Sequence, residues 1–446
     1  MSDLTRRELL AVGGAAAAWA AAVPPAFAVP VDQPRSPVST LAGLSLRELR
    51  DWYRRELFDG YLPFVDRHIV DREYGGFLCS VDPQGALAST TKNAWMDGRG
   101  LWVHAFLYNH FGRDARQLDI ARGAVEMLLR VGPSGPDGLW PKLYTREGRP
   151  TLFSEGEIYG DLFVAEGLDE YAAATGEEKQ ARTARDLLLK CVAMYDRPDY
   201  RPTIGQTYLG ADARPFPGAR ILGVWMVLLR VATQMLEHRP DPDVERIADR
   251  ALQAVFDHHL NPAFDLLNEL LNHDLSRPAD EYAQLVYTGH AIEILWMVLA
   301  EARRRQDRAL FDRASAVCRR HLDVAWDPVY GGLFRNLQHV DRHVWLVDKV
   351  LWAQEEAQIG LLLIVEETGA EWAREAFARL HGYITATYPL RARGLDSPMW
   401  IYAADRTVSL ESFRRMPARL ENYHHPRYLM LNLLSLDRLI DRQRRP

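Results

Sequence analysis

The sequence predicts an all-α fold, an (α/α)6 barrel with an inner ring of six helices inside an outer ring of six. Three observations carry that expectation. Apolar residues recur at three- and four-residue spacing along most of the 446-residue chain, in segments separated by Gly, Pro and Asp clusters. The segments alternate in kind: strongly apolar ones such as ILGVWMVLLRVA (221–232) and HAIEILWMVLA (290–300) take turns with segments charged on one face, such as DVERIADRALQAVFDHH (243–259). A helix apolar nearly all round is buried, and an amphipathic one covers it from outside. The third observation is a weak internal repeat, YGGF at 74–77 and YGGLF at 330–334, each in the loop before an inner helix. An open helical solenoid would instead show a consensus repeat of roughly 34 or 40 residues, which this chain lacks.

In chain order the expected helices span 45–66, 92–110, 114–131, 157–175, 178–196, 219–237, 241–259, 280–305, 308–322, 343–367, 370–387 and 424–441, the even-numbered ones forming the inner ring. Strand-like alternation is confined to short loops such as 74–80 and 330–336. Residues 29–43, rich in Pro, Ser and small side chains, read as a linker, and 44–442 as the barrel domain. Ahead of the linker, Arg6-Arg7 precedes the apolar run LLAVGGAAAAWAAAV and then Ala26-Phe27-Ala28. A charged start, an apolar stretch of signal-peptide length and a small-x-small cleavage site make residues 1–28 a secretory signal, too short for a stable membrane span. The paired arginines match the twin-arginine export signal. The mature protein is therefore expected in the periplasm or outside the cell, with the twin-arginine export machinery as a transient partner and no stable membrane insertion.

Composition narrows the function classes. With 48% hydrophobic and 26% charged residues the chain is globular. Its 54 Lys+Arg against 60 Asp+Glu give a net charge of −6, without the basic excess of a nucleic-acid binder. Cys79, Cys191 and Cys318 lie far apart with no CxxC spacing, neither a disulfide framework nor a zinc site. A homodimer is compatible with the sequence.

Buried ionisable groups are costly unless paired or used, so those on inner helices are the candidates for chemistry. The second helix offers Lys92, Arg99 and His104, with Trp95 and Trp102 at i−4 and i+3 from Arg99. That face could stack a sugar ring and hydrogen-bond its hydroxyls, or serve equally as an aromatic core stripe. The fourth carries Glu157, Tyr159, Asp161 and Glu166. The eighth opens with His290 and places Glu293 one turn on; the tenth sets Lys349, Trp352 and Glu356 at i, i+3 and i+7; the twelfth begins with His424, His425 and Arg427. All inner helices run in one direction, so the groups that head them should open at the same end of the barrel. No metal site is expected: HExxH is absent, His339-x-x-x-His343 falls in a loop-to-helix junction, and His258 and His259 point to different faces of an outer helix. Nor is a cofactor expected, because no P-loop, GxSxG elbow or dinucleotide glycine fingerprint appears in a suitable context.

From about 45 to 442 these motifs, in this order, resemble the N-acylglucosamine 2-epimerase and cellobiose 2-epimerase family of (α/α)6-barrel sugar epimerases and isomerases. The carriers are YGGF (74–77), the Arg99-x-x-Trp102 pair, GHAIE (289–293), YGGLF (330–334), WAQEEAQIGLL (352–362) and YHHPR (423–427). GHAIE is similar to the family's PGHxxE, QEEA to its QAEA with the matching acid at Glu356, and HHPR to its FHxPR, which maps the family histidine to His424 and leaves His425 at the variable position. One departure stands out: where the family commonly has NPxMHxxEA on the sixth helix, this chain has FPGARILGV (216–224), with Arg220 and Gly223 in place of the His and Glu. The resemblance implies a sugar 2-epimerase or aldose–ketose isomerase acting on a mannose/glucose-type sugar, acetylated or not. His290 and His424 would move the C2 proton, Arg99 would stabilise an enediolate, and Glu293 and Glu356 would orient a histidine or handle a hydroxyl proton. Trp95, Trp102, Asp161, Arg220, Trp352 and His425 would contact the sugar, with no metal required. Two other readings stay open at this point. One is an (α/α)6 glycoside hydrolase or lyase, for which Asp161 and Glu356 are the best carboxylate pair; the other is an inactive carbohydrate-binding relative.

Overall fold

In a computed structural model, residues 38–153, 156–202, 216–409, 411 and 422–444 are described. The proposed signal, 1–28, and the linker up to residue 37 lie outside the described residues. The remainder of the assigned linker belongs to the fold: Val38 and Leu41 are buried, and Thr40–Leu41 pairs antiparallel with Leu44–Ser45. Apolar side chains at 38 and 41 explain why these residues pack with the fold despite the Pro- and Ser-rich composition around them.

The twelve expected helices form. Helix α1 runs as Leu46–Arg55, a π-helical stretch Glu56–Tyr61 and Leu62–His68, opened by a Ser45/Glu48 capping box. There follow α2 Ala94–His110, α3 Ala115–Val131, α4 Tyr159–Thr175, α5 Glu178–Tyr195 and α6 Leu222–His238. Helix α7 is Pro242–Gln253 continued by a π-helical Ala254–His259. The last five are α8 Thr288–Arg305, α9 Arg308–Ala325, α10 Leu351–Thr368, α11 Glu371–Thr387 and α12 His424–Arg444. Each even-numbered helix packs on the next, and α12 returns to α2, so the inner ring closes. Each odd-numbered helix packs against an inner one, α1 against α12 and α3 to α11 against the helix before it. The inner helices are buried along almost their whole length, α10 without a break from Leu351 to Glu366. Among the described residues no helix is long and apolar enough to cross a membrane.

Helices α8 and α10 start eight residues later than the periodicity predicts, at Thr288 and Leu351 instead of 280 and 343. Residues 281–284 form a separate 3₁₀ turn, and a β-hairpin of Asn336–His339 with Val344–Leu346 occupies the stretch before α10. His339 and His343 therefore sit on the hairpin, the former paired with Val344.

The internal repeat has a physical basis. Lys92 Nζ reaches Asp71 Oδ2 at 2.7 Å and the Gly75 carbonyl at 2.6 Å, while Arg146 closes on the same aspartate at 2.8 Å. Lys349 Nζ reaches Asp327 Oδ2 at 2.8 Å and the Gly331 carbonyl at 2.5 Å, with Arg406 in the Arg146 role at 2.9 Å. Both turns need glycine: Gly75, Gly76, Gly331 and Gly332 all have φ between 73° and 81°, a region closed to most side chains. Lys92 and Lys349 thus fasten loops before α2 and α10, and neither contributes to the cluster described next. His104 is likewise structural, stacked on Phe77 and 2.6 Å from Gln117 Oε1, with burial pushing it down to about 4.

Candidate active site

The inner helices are parallel because each is followed by an antiparallel outer helix, so the first turns of α2, α4, α8, α10 and α12 meet at one end of the barrel. His424, at the start of α12, has Nδ1 3.0 Å from Glu356 Oε1 on α10. Arg427, one turn further, donates from Nη2 to Glu293 Oε1 on α8 at 2.5 Å and lies 2.8 Å from Glu356 Oε1. Trp296 Nε1 donates to Glu356 Oε2 at 2.6 Å. Arg427 Nη1 donates to the Tyr423 hydroxyl at 2.9 Å, and that hydroxyl donates to Glu166 Oε2 at 2.7 Å. Burial pushes Glu356 above the ordinary carboxylate range, against the pull of Arg427. Arg427 Nη2 also lies 3.1 Å from His424 Nδ1. That nitrogen cannot both donate to Glu356 and accept from Arg427; we take the carboxylate as its acceptor, which corresponds to the Nδ1–H tautomer. Nε2 is then the basic nitrogen.

His290, at the start of α8, is built on the same plan with a different partner. Its Nδ1 lies 2.9 Å from Oε1 of Glu269, a buried carboxylate in the irregular segment between α7 and α8. Two backbone bonds pin Glu269: Leu222 N donates to its carbonyl at 2.9 Å, and its own N–H donates to Leu285 O at 3.0 Å. Burial raises the Glu269 carboxyl. A carboxylate at Nδ1 again leaves Nε2 as the basic nitrogen. Trp352 stands between the two stations, its ring centroid 5.9 Å from that of His290 and 5.4 Å from that of His424. Gly289 makes room for it, since a Cβ there would come within 2.7 Å of the indole. Arg99 lies with its guanidinium carbon 4.1 Å from the Phe163 ring, 4.6 Å from Tyr423 and 4.9 Å from Trp95.

The structure thus brings His290, His424, Glu293, Glu356, Arg99, Trp95 and Trp352 to one end of the barrel, and separates others from it. Trp102 shares the Trp95 face of α2 but lies two turns deeper, fully buried, with Nε1 donating to Gln234 Oε1 at 2.7 Å. It is core, because depth along a helix is invisible to face periodicity. Arg220 is buried but turned outward: it donates to the Gly218, Asp196 and Arg197 carbonyls at 3.0–3.2 Å and lies over Tyr195. It ties α5 to α6 instead of contacting a sugar. His425 points away from His424, as adjacent helical residues do, and pairs with Glu355 Oε1 at 2.5 Å among Tyr61, Trp400 and Tyr428. Asp161 lines a cavity together with Trp95, Trp140 and Glu157, and Glu356 is not part of that lining. Glu269 was not legible in the sequence, because it belongs to no periodic segment. The only available signal was its position in a loop between two inner helices.

Glu293, Glu356 and His424 present ligand atoms within 4.8 Å of one another, the one such group of potential metal ligands among the described residues. The Arg427 guanidinium already holds both carboxylates, so a cation would have to displace a buried charge from them.

Comparison with known proteins decides the family. The family model for N-acylglucosamine 2-epimerase (GlcNAc 2-epimerase) matches residues 75–425. The chain belongs to the N-acylglucosamine 2-epimerase family. Relatives include the Bos taurus N-acylglucosamine 2-epimerase, 28% identical over 341 residues, 73% of this chain and 77% of the relative. The Homo sapiens N-acylglucosamine 2-epimerase is 27% identical over 336 residues, 72% of this chain and 76% of the relative. Among solved structures, the cellobiose 2-epimerase of Spirochaeta thermophila superposes with a TM-score of 0.72 at 17% identity, covering 89% of this chain and 98% of that one. A D-mannose isomerase superposes with a TM-score of 0.65 at 15% identity, covering 89% and 97%. At these identities the structural likeness establishes the fold, a helical barrel shared with carbohydrate epimerases.

Proposed function

We propose that this family member is a sugar 2-epimerase or aldose–ketose isomerase acting on a mannose/glucose-type sugar through two imidazoles. The observation that carries the reading is the paired design at the mouth: His290 and His424, each with a buried carboxylate at Nδ1, on either side of Trp352. In the ring-opened sugar, one Nε2 takes the C2 proton. The C2–H electron pair becomes the C1–C2 double bond of an enediolate, and the negative charge gathers on the C1 oxygen. Arg99 supplies fixed positive charge for that oxygen. Return of a proton to C2 from the other imidazole inverts the centre; return to C1, with the C2 hydroxyl proton passing to the C1 oxygen, gives the ketose. Imidazoles suit both steps because their ordinary pKa lies near working pH. The relatives named above act on N-acylglucosamine and cellobiose, so both classes of sugar belong in the assay. Incubation with these sugars in heavy water is the test: deuterium entering at C2 supports the reading, whereas shortened sugars would mark a hydrolase and no change at all an inactive binding protein. We further propose export through the twin-arginine route, supported by Arg6-Arg7 ahead of the apolar run. Replacing both arginines by Lys should hold the precursor inside the cell, and undiminished export would refute that route.

A further inference from the structure

A line of buried polar groups runs down the barrel from the two-histidine mouth, and Glu166 on α4 is part of it. Glu166 is fully buried. Among the described residues its carboxylate has two donors, the Tyr423 hydroxyl at 2.7 Å on Oε2 and Arg230 Nε at 3.1 Å on Oε1. The line has a fixed direction. Burial pushes the Tyr423 hydroxyl far above its ordinary pKa, so it stays protonated. Its oxygen accepts from Arg427 Nη1 at 2.9 Å, so its single proton goes to Glu166. Deeper in the barrel, Arg230 Nη2 donates to Gln234 Oε1 at 3.3 Å, and the same oxygen accepts from Trp102 Nε1 at 2.7 Å. Gln234 Nε2 donates to the Glu166 carbonyl at 2.9 Å and to Asp169 Oδ2 at 3.2 Å. Glu166 is thereby fixed from α6, and α6 from α2.

The Tyr423 ring is shared by two guanidinia of the site. The Arg427 guanidinium carbon lies 4.3 Å from its centroid, and that of Arg99 lies 4.6 Å away. Arg427 holds Glu293 and Glu356 beside His424, and Arg99 is the cation for the enediolate oxygen. The other ring contacts of Tyr423, with Trp102 and Phe163, are edge-on at 5.4 Å. A buried phenol that lost the acceptor for its proton would leave a donor unpaired, and moving would be cheaper than staying. We propose that Glu166 is a positioning residue for the reaction: by accepting the Tyr423 proton it fixes the ring against which Arg99 and Arg427 rest, and through them the surroundings of His424. It acts through Tyr423 and not on the sugar. The expected loss of turnover rests on the epimerase reading; the linkage from Glu166 to the His424 imidazole does not.

The test compares Glu166→Gln, Tyr423→Phe and the double variant in the full chain. In Glu166→Gln the charged Arg230 is the stronger donor and claims the amide oxygen, which turns the NH₂ group toward Tyr423 and leaves the phenol proton without an acceptor. Tyr423→Phe cuts the same link, keeps the ring and leaves the Glu166–Arg230 pair intact, so it carries the test alone if the amide unfolds the chain. Each single variant is expected to lower kcat for C2 deuterium exchange about tenfold, with KM changing less than about twofold. The double variant should fall no further than the weaker single one, because both cut one path. A second readout needs no turnover: in ¹³C-labelled histidine spectra at pH 7, the His424 ring signal, assigned by its loss in His424→Asn, should move in both single variants. That of the buried His321 on α9 should stay in place. A melting temperature that drops while kcat and the His424 signal are unchanged would make Glu166 merely structural and overturn the proposal, as would additive losses in the double variant. A displaced His424 signal in a chain that takes up no deuterium at C2 would uphold the linkage while sinking the epimerase reading.

Discussion

His424 and His290 head inner helices and carry a carboxylate at Nδ1, yet the two stations are built from different materials. His424 is held by a buried ionic network that joins three inner helices, Glu293 on α8, Glu356 on α10 and Arg427 on α12. His290 is held by one carboxylate from an irregular segment, and its side chain is 16% exposed against 8% for His424. The difference teaches that the same imidazole chemistry can rest on helix–helix packing or on a pinned loop.

The largest effects should come from the imidazoles themselves. His424→Asn and His290→Asn are each expected to lower kcat by about 10²–10⁴-fold, measured as C2 deuterium exchange and product formation, while His425→Asn retains turnover. Equal activity of all three would break the comparison at its root.

Removing the charge beneath His424 comes next. Arg427→Met leaves Glu293 and Glu356 buried without their shared cation, and breaking a buried pair costs on the order of 3–5 kcal/mol. A melting temperature unchanged by this substitution would show that the network does not hold the ring together. Nothing at the His290 station should be as sensitive.

Glu269→Gln sharpens the contrast. Loosening the His290 ring should cost up to roughly 10²-fold in kcat, with the fold retained by circular dichroism and partial recovery in Glu269→Asp. Burial raises both Glu269 and Glu356 above the ordinary 4.5. Each therefore takes up its proton, and releases its imidazole, at a higher pH than a surface carboxylate would as pH falls. The acid limb of the kcat profile should accordingly lie above pH 4.5, and Glu269→Gln should remove its contribution to that limb. A profile identical to that of the unsubstituted enzyme would assign Glu269 a purely structural role.

The smallest change probes the space that the missing side chain leaves. Gly223→Ala places a Cβ 2.8 Å from the His290 ring and the Tyr159 hydroxyl, so about tenfold lower turnover is expected from a displaced imidazole. Alanine is the better helix former by roughly 1 kcal/mol, so thermal stability should fall little or not at all. Activity that survives together with raised stability would mean that the His290 station tolerates movement.

Much of this site was legible before any coordinates. His290, Glu293, Glu356, His424 and Arg99 announced themselves as ionisable groups on helices too apolar to tolerate them unused. Trp102 was not separable from Trp95 by spacing, because helical periodicity fixes the face and leaves the depth open. Arg220 fell at the start of an apolar helix, but its long side chain reaches back to carbonyls at the end of α5. Lys349 looked like a member of the Trp352 and Glu356 face; it precedes the helix and belongs to the turn clamp of Asp327.

The sequence by itself determined the number, order and burial of the helices, since these follow from apolar periodicity and from the glycine-rich turns between them. It also determined that carboxylates and imidazoles would collect at one end, because the tight turn after each inner helix sends its outer partner back antiparallel and so aligns the inner helices. Only the tertiary structure decided which carboxylate serves which histidine. Glu356 and Glu269 lie 68 and 21 residues from their partners, one on a neighbouring helix and one on a loop without periodicity. Such pairings are set by the closure of the ring, which no local pattern encodes.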